Sequence, residues 1–124
     1  MPGTSETMPV VREVLARVEV ENLDTALETY CSLAGTTDVR RFRFGDIELA
    51  WVGPFLLLAG APPDLERVRR TATLLVTDIG AAQGTITGTG GEILEGPAHA
   101  PNGARMIARH ADGAVFEYIE VQAG

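Results

Sequence analysis

Apolar and polar residues alternate with a period of two from Val14 to Val20, "VLARVEV". Val14, Ala16, Val18 and Val20 fall on one face, and Leu15, Arg17 and Glu19 on the other. That is the pattern of a strand with two unlike faces. The period then lengthens. In "ENLDTALETYCSLAG" the residues Leu23, Ala26, Leu27, Tyr30 and Ala34 recur at helical spacing, with Asn22 as N-cap and Gly35 as stop. This predicts an amphipathic helix. "DVRRFRF", "DIELAWV" and "PFLLLA" follow as three short strands, divided by Gly45-Asp46 and Gly53-Pro54.

"GAPPDLERVRR", rich in proline and charge, reads as a linker, and after it the order repeats. "TATLLV" is a strand. "DIGAAQGTITGTGG" is a weaker helix, capped by Asp78, striped by Ile79, Ala82 and Ile86, and closed by Gly90-Gly91. Its threonines and internal glycines lower helix propensity. "GEILEG", "ARMIARH" and "AVFEYIEV" are three more strands, with "PAHAPNG" as a loop between the first two. The chain therefore reads βαβββ twice, an internal repeat carried by order rather than identity. The expected division is a flexible leader over 1–9, a first module over 10–60, a linker over 61–67 and a second module over 68–122, one α+β domain overall.

Composition narrows the partners. The 124 residues carry a net charge of −7, which argues against nucleic acid and against anionic membrane surfaces. A single cysteine, Cys31, forbids an intramolecular disulfide. No apolar run reaches the ~18 residues of a membrane span, and "MPGTSETMPV" lacks the features of a secretory signal. The expected location is the cytoplasm. No phosphate-binding glycine loop and no nucleophile elbow is present.

The paired βαβββ order, the "VENLDTAL" and "VTDIGAAQ" helix openings and the closing "NGARMIARHADGAVFE" resemble the vicinal oxygen chelate superfamily, which includes glyoxalase I, extradiol dioxygenases and bleomycin-resistance proteins. The resemblance covers about residues 10–122. The family usually has Asp-Pro-Asp-Gly-Asn in the last turn. Here His110-Ala111-Asp112-Gly113-Ala114 keeps the turn and loses the first Asp and the Pro. The resemblance implies two modules forming a cup-shaped, half-barrel mixed sheet with helices on its outer face, and a homodimer whose sites combine residues of both chains. Metal-dependent members hold a divalent ion with four ligands. Those positions fall on Leu15, Thr71, Leu57 and Glu117, with the Leu57 strand open to a slip of one residue. Leucine has no lone pair to offer, and a neutral threonine is a poor ligand. No metal and no other cofactor is expected.

An acid in the middle of an apolar strand is costly unless paired, so Glu117 reads as a strand glutamate paired with an arginine across the sheet or as an acid facing a cavity, two compatible readings because a cavity carboxylate still seeks a partner. Val115, Glu117 and Ile119 share one strand face. Arg17 and Glu19 share the face of Leu15, either as a partly exposed charged strand face or with Arg17 neutralising Glu117 or Glu19 inside a cavity. Trp51 is the candidate aromatic wall for a planar ligand, and Thr73 joins Thr71 at the start of the second module. Arg40, Arg41 and Arg43, like Arg67, Arg69 and Arg70, read as solvated or salt-bridged, and Cys31 as packing.

Two functions follow. The first is a metal-free binding protein of the bleomycin-resistance type, sequestering a small apolar or aromatic molecule with Leu15, Arg17, Trp51, Leu57, Thr71, Thr73, Val115 and Glu117. The second is a cofactor-free isomerase, cyclase or lyase, with Glu117 or Glu19 as a general base whose pKa an apolar pocket raises.

Overall fold

The computed structural model describes residues 9–100 and 103–121. The expected leader therefore lies outside the described residues except for Pro9. The chain is α+β, with eight strands of a mixed sheet and three helices. It divides into two compact units, Leu15–Thr73 and the remainder, so that β1, Val11–Glu19, is shared between them.

In the unit Leu15–Thr73, β1 leads into α1, Leu23–Ala34. The caps are those the sequence predicts. The Asn22 side chain accepts from the Thr25 amide at 2.9 Å, and Gly35 closes the helix at φ 69, a conformation that suits glycine. Three strands follow: β2, Val39–Phe44, β3, Ile47–Val52, and β4, Phe55–Ala59. Their order is β2-β3-β4-β1, antiparallel except for the parallel pair β4 and β1. Residues directly opposite on paired strands share a face. Val18, Leu57 and Ala50 therefore stand on one side, and Leu23, Leu27 and Tyr30 of α1 pack there. Tyr30 meets Phe55 edge-on at 4.8 Å. Cys31 belongs to this packing, as expected.

Two expectations are corrected beyond β4. The supposed linker carries a short helix, α2, Pro62–Arg67, with proline in its first turn. A proline there lacks an N–H that would have no partner anyway. "TATLLV" enters the sheet late: β5 is Thr73–Val76, and Thr71 is exposed before it.

The second unit repeats the plan with β5, α3 (Ile79–Gly88), β6 (Glu92–Ala100), β7 (Gly103–Arg109) and β8 (Val115–Glu120), in strand order β5-β8-β7-β6. Asp78 caps α3 by accepting from the Ala81 amide at 3.0 Å. Glu120 of β8 adds a second acceptor, taking the Ile79 amide at 2.9 Å. The stripe Ile79, Ala82 and Ile86 is buried against Met106, Ala108 and Tyr118. Tertiary packing thus holds a helix that propensity disfavours. "PAHAPNG" is not wholly a loop, because β6 runs through Pro97 and His99 to Ala100. Proline is tolerated because β6 ends the strand order, and its register shifts twice, between Ile93 and Glu95 and between Glu95 and Ala98. Gly96 sits at φ +79 inside the second shift, where a Cβ would lie 2.6 Å from the Arg105 carbonyl oxygen.

Candidate functional site

The face of the first unit that turns away from α1 is set by period-two alternation. Arg17 on β1 is level with Leu56 on β4 and Trp51 on β3, and Glu19 is level with Leu58 and Leu49. Leu15, 2% exposed, begins the row. Toward its Glu19 end lies a cavity of about 350 Å³, lined by Arg17, Val18, Glu19, Leu58, Leu65, Val68, Arg69 and Arg70. The last four come from α2 and the turn after it. The segment expected to be only a connection thus supplies half of the wall.

Arg17 is half-buried and held at two points. Its Nη1 donates to Thr73 Oγ1 at 2.8 Å and its Nη2 to the Val68 carbonyl at 2.7 Å. Thr73 is fully buried, so this hydroxyl also satisfies a group that would otherwise be costly to bury. Glu19 receives a fork from Arg69, Nε to Oε2 and Nη2 to Oε1, both at 2.9 Å. Arg69, which the sequence marks only as solvated or salt-bridged, is thus the hydrogen-bonding partner of Glu19. The hydrogen bond from Arg69 holds the Glu19 carboxyl below its ordinary value, with a smaller electrostatic contribution from Arg17. The shift runs opposite to that expected of a general base tuned toward neutrality. Half-buried Arg70 donates to the Arg67 and Arg69 carbonyls at 3.3 and 3.1 Å.

Trp51 lies on the same face but outside the cavity wall. Its indole N–H donates to the Gly53 carbonyl at 2.9 Å, and the Arg40 guanidinium lies 5.6 Å from its ring centroid. Leu57 points the other way, into the packing under α1, and is fully buried. The slip of one residue is therefore real: Leu56 and Leu58 are the β4 residues on Arg17's face. Arg41 and Arg43 form surface ion pairs with Asp24 and Glu48, as expected.

In the second unit Glu117 is 8% exposed and accepts from Arg105 Nε at 2.7 Å. Arg105 also lies 4.0 Å from Glu95. All three stand on the sheet face away from α3, where Glu117 is level with Ile107. Of the two readings of Glu117, the glutamate paired across the sheet is met. Val115 is half-buried on the same strand face, level with Arg109. On the opposite face His110 stacks on Phe116 at 4.4 Å and shares a short hydrogen bond with the Tyr118 hydroxyl. Burial pushes the Tyr118 hydroxyl up, away from ionisation.

The positions that correspond to a metal centre do not make one. Leu15 is apolar, Leu57 faces α1, Thr71 is exposed, and Glu117 is engaged by Arg105. Among the described residues no three His, Cys, Asp or Glu side chains group as metal donors. The donor set does not fit a divalent transition metal. Sequence reasoning missed Leu58, Leu65, Val68, Arg69 and Arg70. The signal was present in Pro62-Pro63-Asp64, a helix-start pattern that turns "LERVRR" back toward β1.

Among solved structures the chain is similar to an uncharacterised protein from Methanosarcina mazei. Identity is 36%, the match covers 90% of this chain and 94% of that one, and the TM-score is 0.83. It is also similar to methylmalonyl-CoA epimerase from Mycobacterium tuberculosis, at 19% identity, 99% and 94% coverage and a TM-score of 0.67. Methylmalonyl-CoA epimerase from Streptomyces coelicolor, solved with 2-nitronate-propionyl-CoA, matches at 15% identity, 93% and 97% coverage and a TM-score of 0.68. The likeness to the two epimerases is one of fold. No protein-family model and no curated protein matches the chain.

Proposed function

This chain belongs to the same family as the Methanosarcina mazei protein and has the vicinal oxygen chelate fold, and on that premise we propose that it is a metal-free small-molecule-binding protein acting as a homodimer. The observation that carries the reading is the cavity of about 350 Å³ beside Arg17, at the lower end of the ~300–1,000 Å³ range of small-molecule sites. Leu58, Leu65 and Val68 supply its apolar wall. The leucine, threonine and glutamate at the family's metal positions support binding without a metal ion. Phe42 and Phe44, 42% and 56% exposed on β2, are a surface that a second copy would cover.

The alternative is a cofactor-free isomerase or lyase with Glu117 or Glu19 as base. The named epimerases share the scaffold, but a fold hosts many chemistries. Two hydrogen-bonding arrangements weigh against this reading: both oxygens of Glu19 are taken by Arg69, which lowers its pKa, and an oxygen of Glu117 is taken up by Arg105.

Native mass spectrometry of freshly purified protein, without added metal or chelator, tests the proposal. A dimer of bare mass, or one carrying an organic adduct, is the expected result. Stoichiometric metal ions would overturn the metal-free reading, and turnover of the adduct compound during prolonged incubation would move the enzyme reading to first place.

A further inference from the structure

The chain has ten basic residues, and every one is an arginine. Three of them, Arg17, Arg69 and Arg70, line one cavity in a molecule whose net charge is −7. Glu19 is the single carboxylate among the described residues of that wall, and both of its oxygens are taken by Arg69. The bonds of Arg70 end on main-chain carbonyls, which orient a guanidinium without neutralising it. Arg17 is held in place by the Val68 carbonyl and the Thr73 hydroxyl. Arg69 is offset by Glu19, so Arg70 gives this wall a cation in excess of its one carboxylate, positioned before any ligand arrives. Preorganised guanidiniums suit carboxylate and phosphate oxygens, and partial burial strengthens the attraction. Leu58 and Leu65, both buried, add apolar surface to the same wall.

We infer that this cavity is an oxyanion subsite, taking the carboxylate or phosphate end of a ligand whose remainder is apolar. The inference rests on the proposed small-molecule-binding role and narrows its ligand class. Glu19 acts in it as a built-in competitor. It occupies Arg69 when the subsite is empty, and removing its charge makes the site more positive.

Calorimetric titration at fixed ionic strength with hexanoate, hexyl phosphate and the neutral hexanamide tests this. At least one of the two anions is expected to bind about tenfold or more tighter than hexanamide, with affinity falling as salt rises. The tighter of the two names the head group. Arg70→Gln is expected to weaken anion binding about three- to tenfold, and Glu19→Gln to tighten it severalfold, since like charge in a partly buried site opposes the anion. The second change guards against misfolding, because a damaged protein would not gain affinity. Hexanamide binding as tightly as the anions would overturn the oxyanion assignment while leaving the binding reading intact. Weakened anion binding in Glu19→Gln, or no binding of any probe, would overturn it too. The native mass decides the binding reading separately.

Discussion

Each unit sets a glutamate on the sheet face away from its helix and gives it an arginine, but the two pairs are built differently. Glu117 takes its arginine from the neighbouring strand, at one oxygen, and is 8% exposed. Glu19 takes both bonds of a fork from Arg69, which arrives from the turn after α2, and this carboxylate is exposed at the cavity edge. The second pair borders the cavity, whose wall α2 and the turn after it help to build. The same two residue types thus stand within the sheet in one unit and at the edge of a cavity in the other.

If that contrast holds, the two glutamates differ most in their contribution to stability. Glu117→Ala removes the 2.7 Å partner of Arg105 from a largely buried position and is expected to cost about 2–4 kcal/mol. Urea unfolding would read this as a lower midpoint with little change in slope, and a loss under about 1 kcal/mol would end the claim that Glu117 is a cohesive element. A second test concerns the helices. Gly84 of α3 lies on an exposed turn, and a Cβ added there would meet nothing within 4 Å. Gly84→Ala is therefore expected to raise stability by about 0.5–1 kcal/mol. No gain in a thermal melt would mean that packing, not backbone entropy, limits α3.

The smallest effect belongs to Glu19. Its folded-state pKa lies below the ordinary value of 4.5, so its contribution is present above that value and is lost as pH falls through the lowered one. The carboxylate is exposed, so the expected worth is about 0–1 kcal/mol. Glu19→Gln should flatten the acid limb of a stability-against-pH curve below about pH 4.5 and leave the neutral region nearly unchanged. An unchanged acid limb in Glu19→Gln would remove the Arg69 fork as a source of acid sensitivity.

The sequence is most legible where one period dominates. α1 shows its stripe and both caps in plain residues, and β1 shows which side chains share a face. β4 is opaque for a physical reason. Leu56, Leu57 and Leu58 are all buried, so no alternation marks which one faces Arg17. Pro97 hides the length of β6, because a proline at an edge with register shifts looks like a loop in one dimension. At the site, the shared face of Arg17 and Glu19 follows from strand period, whereas Arg69 and Arg70 follow only from where a short helix sends the chain. The family position falls on Thr71, yet Thr73, two residues on, is the threonine that meets Arg17.

The bond from the Ile79 amide to Glu120 joins residues 41 positions apart. At a synthesis rate of about 5–20 residues per second, Ile79 is polymerised roughly 2–8 s before its second acceptor exists. During that interval a glycine-rich helix has Asp78 alone at its start. Its register is therefore a late event of biogenesis, set when β8 arrives, and a nascent chain stalled before Glu120 should present this segment to proteases and chaperones as unfinished.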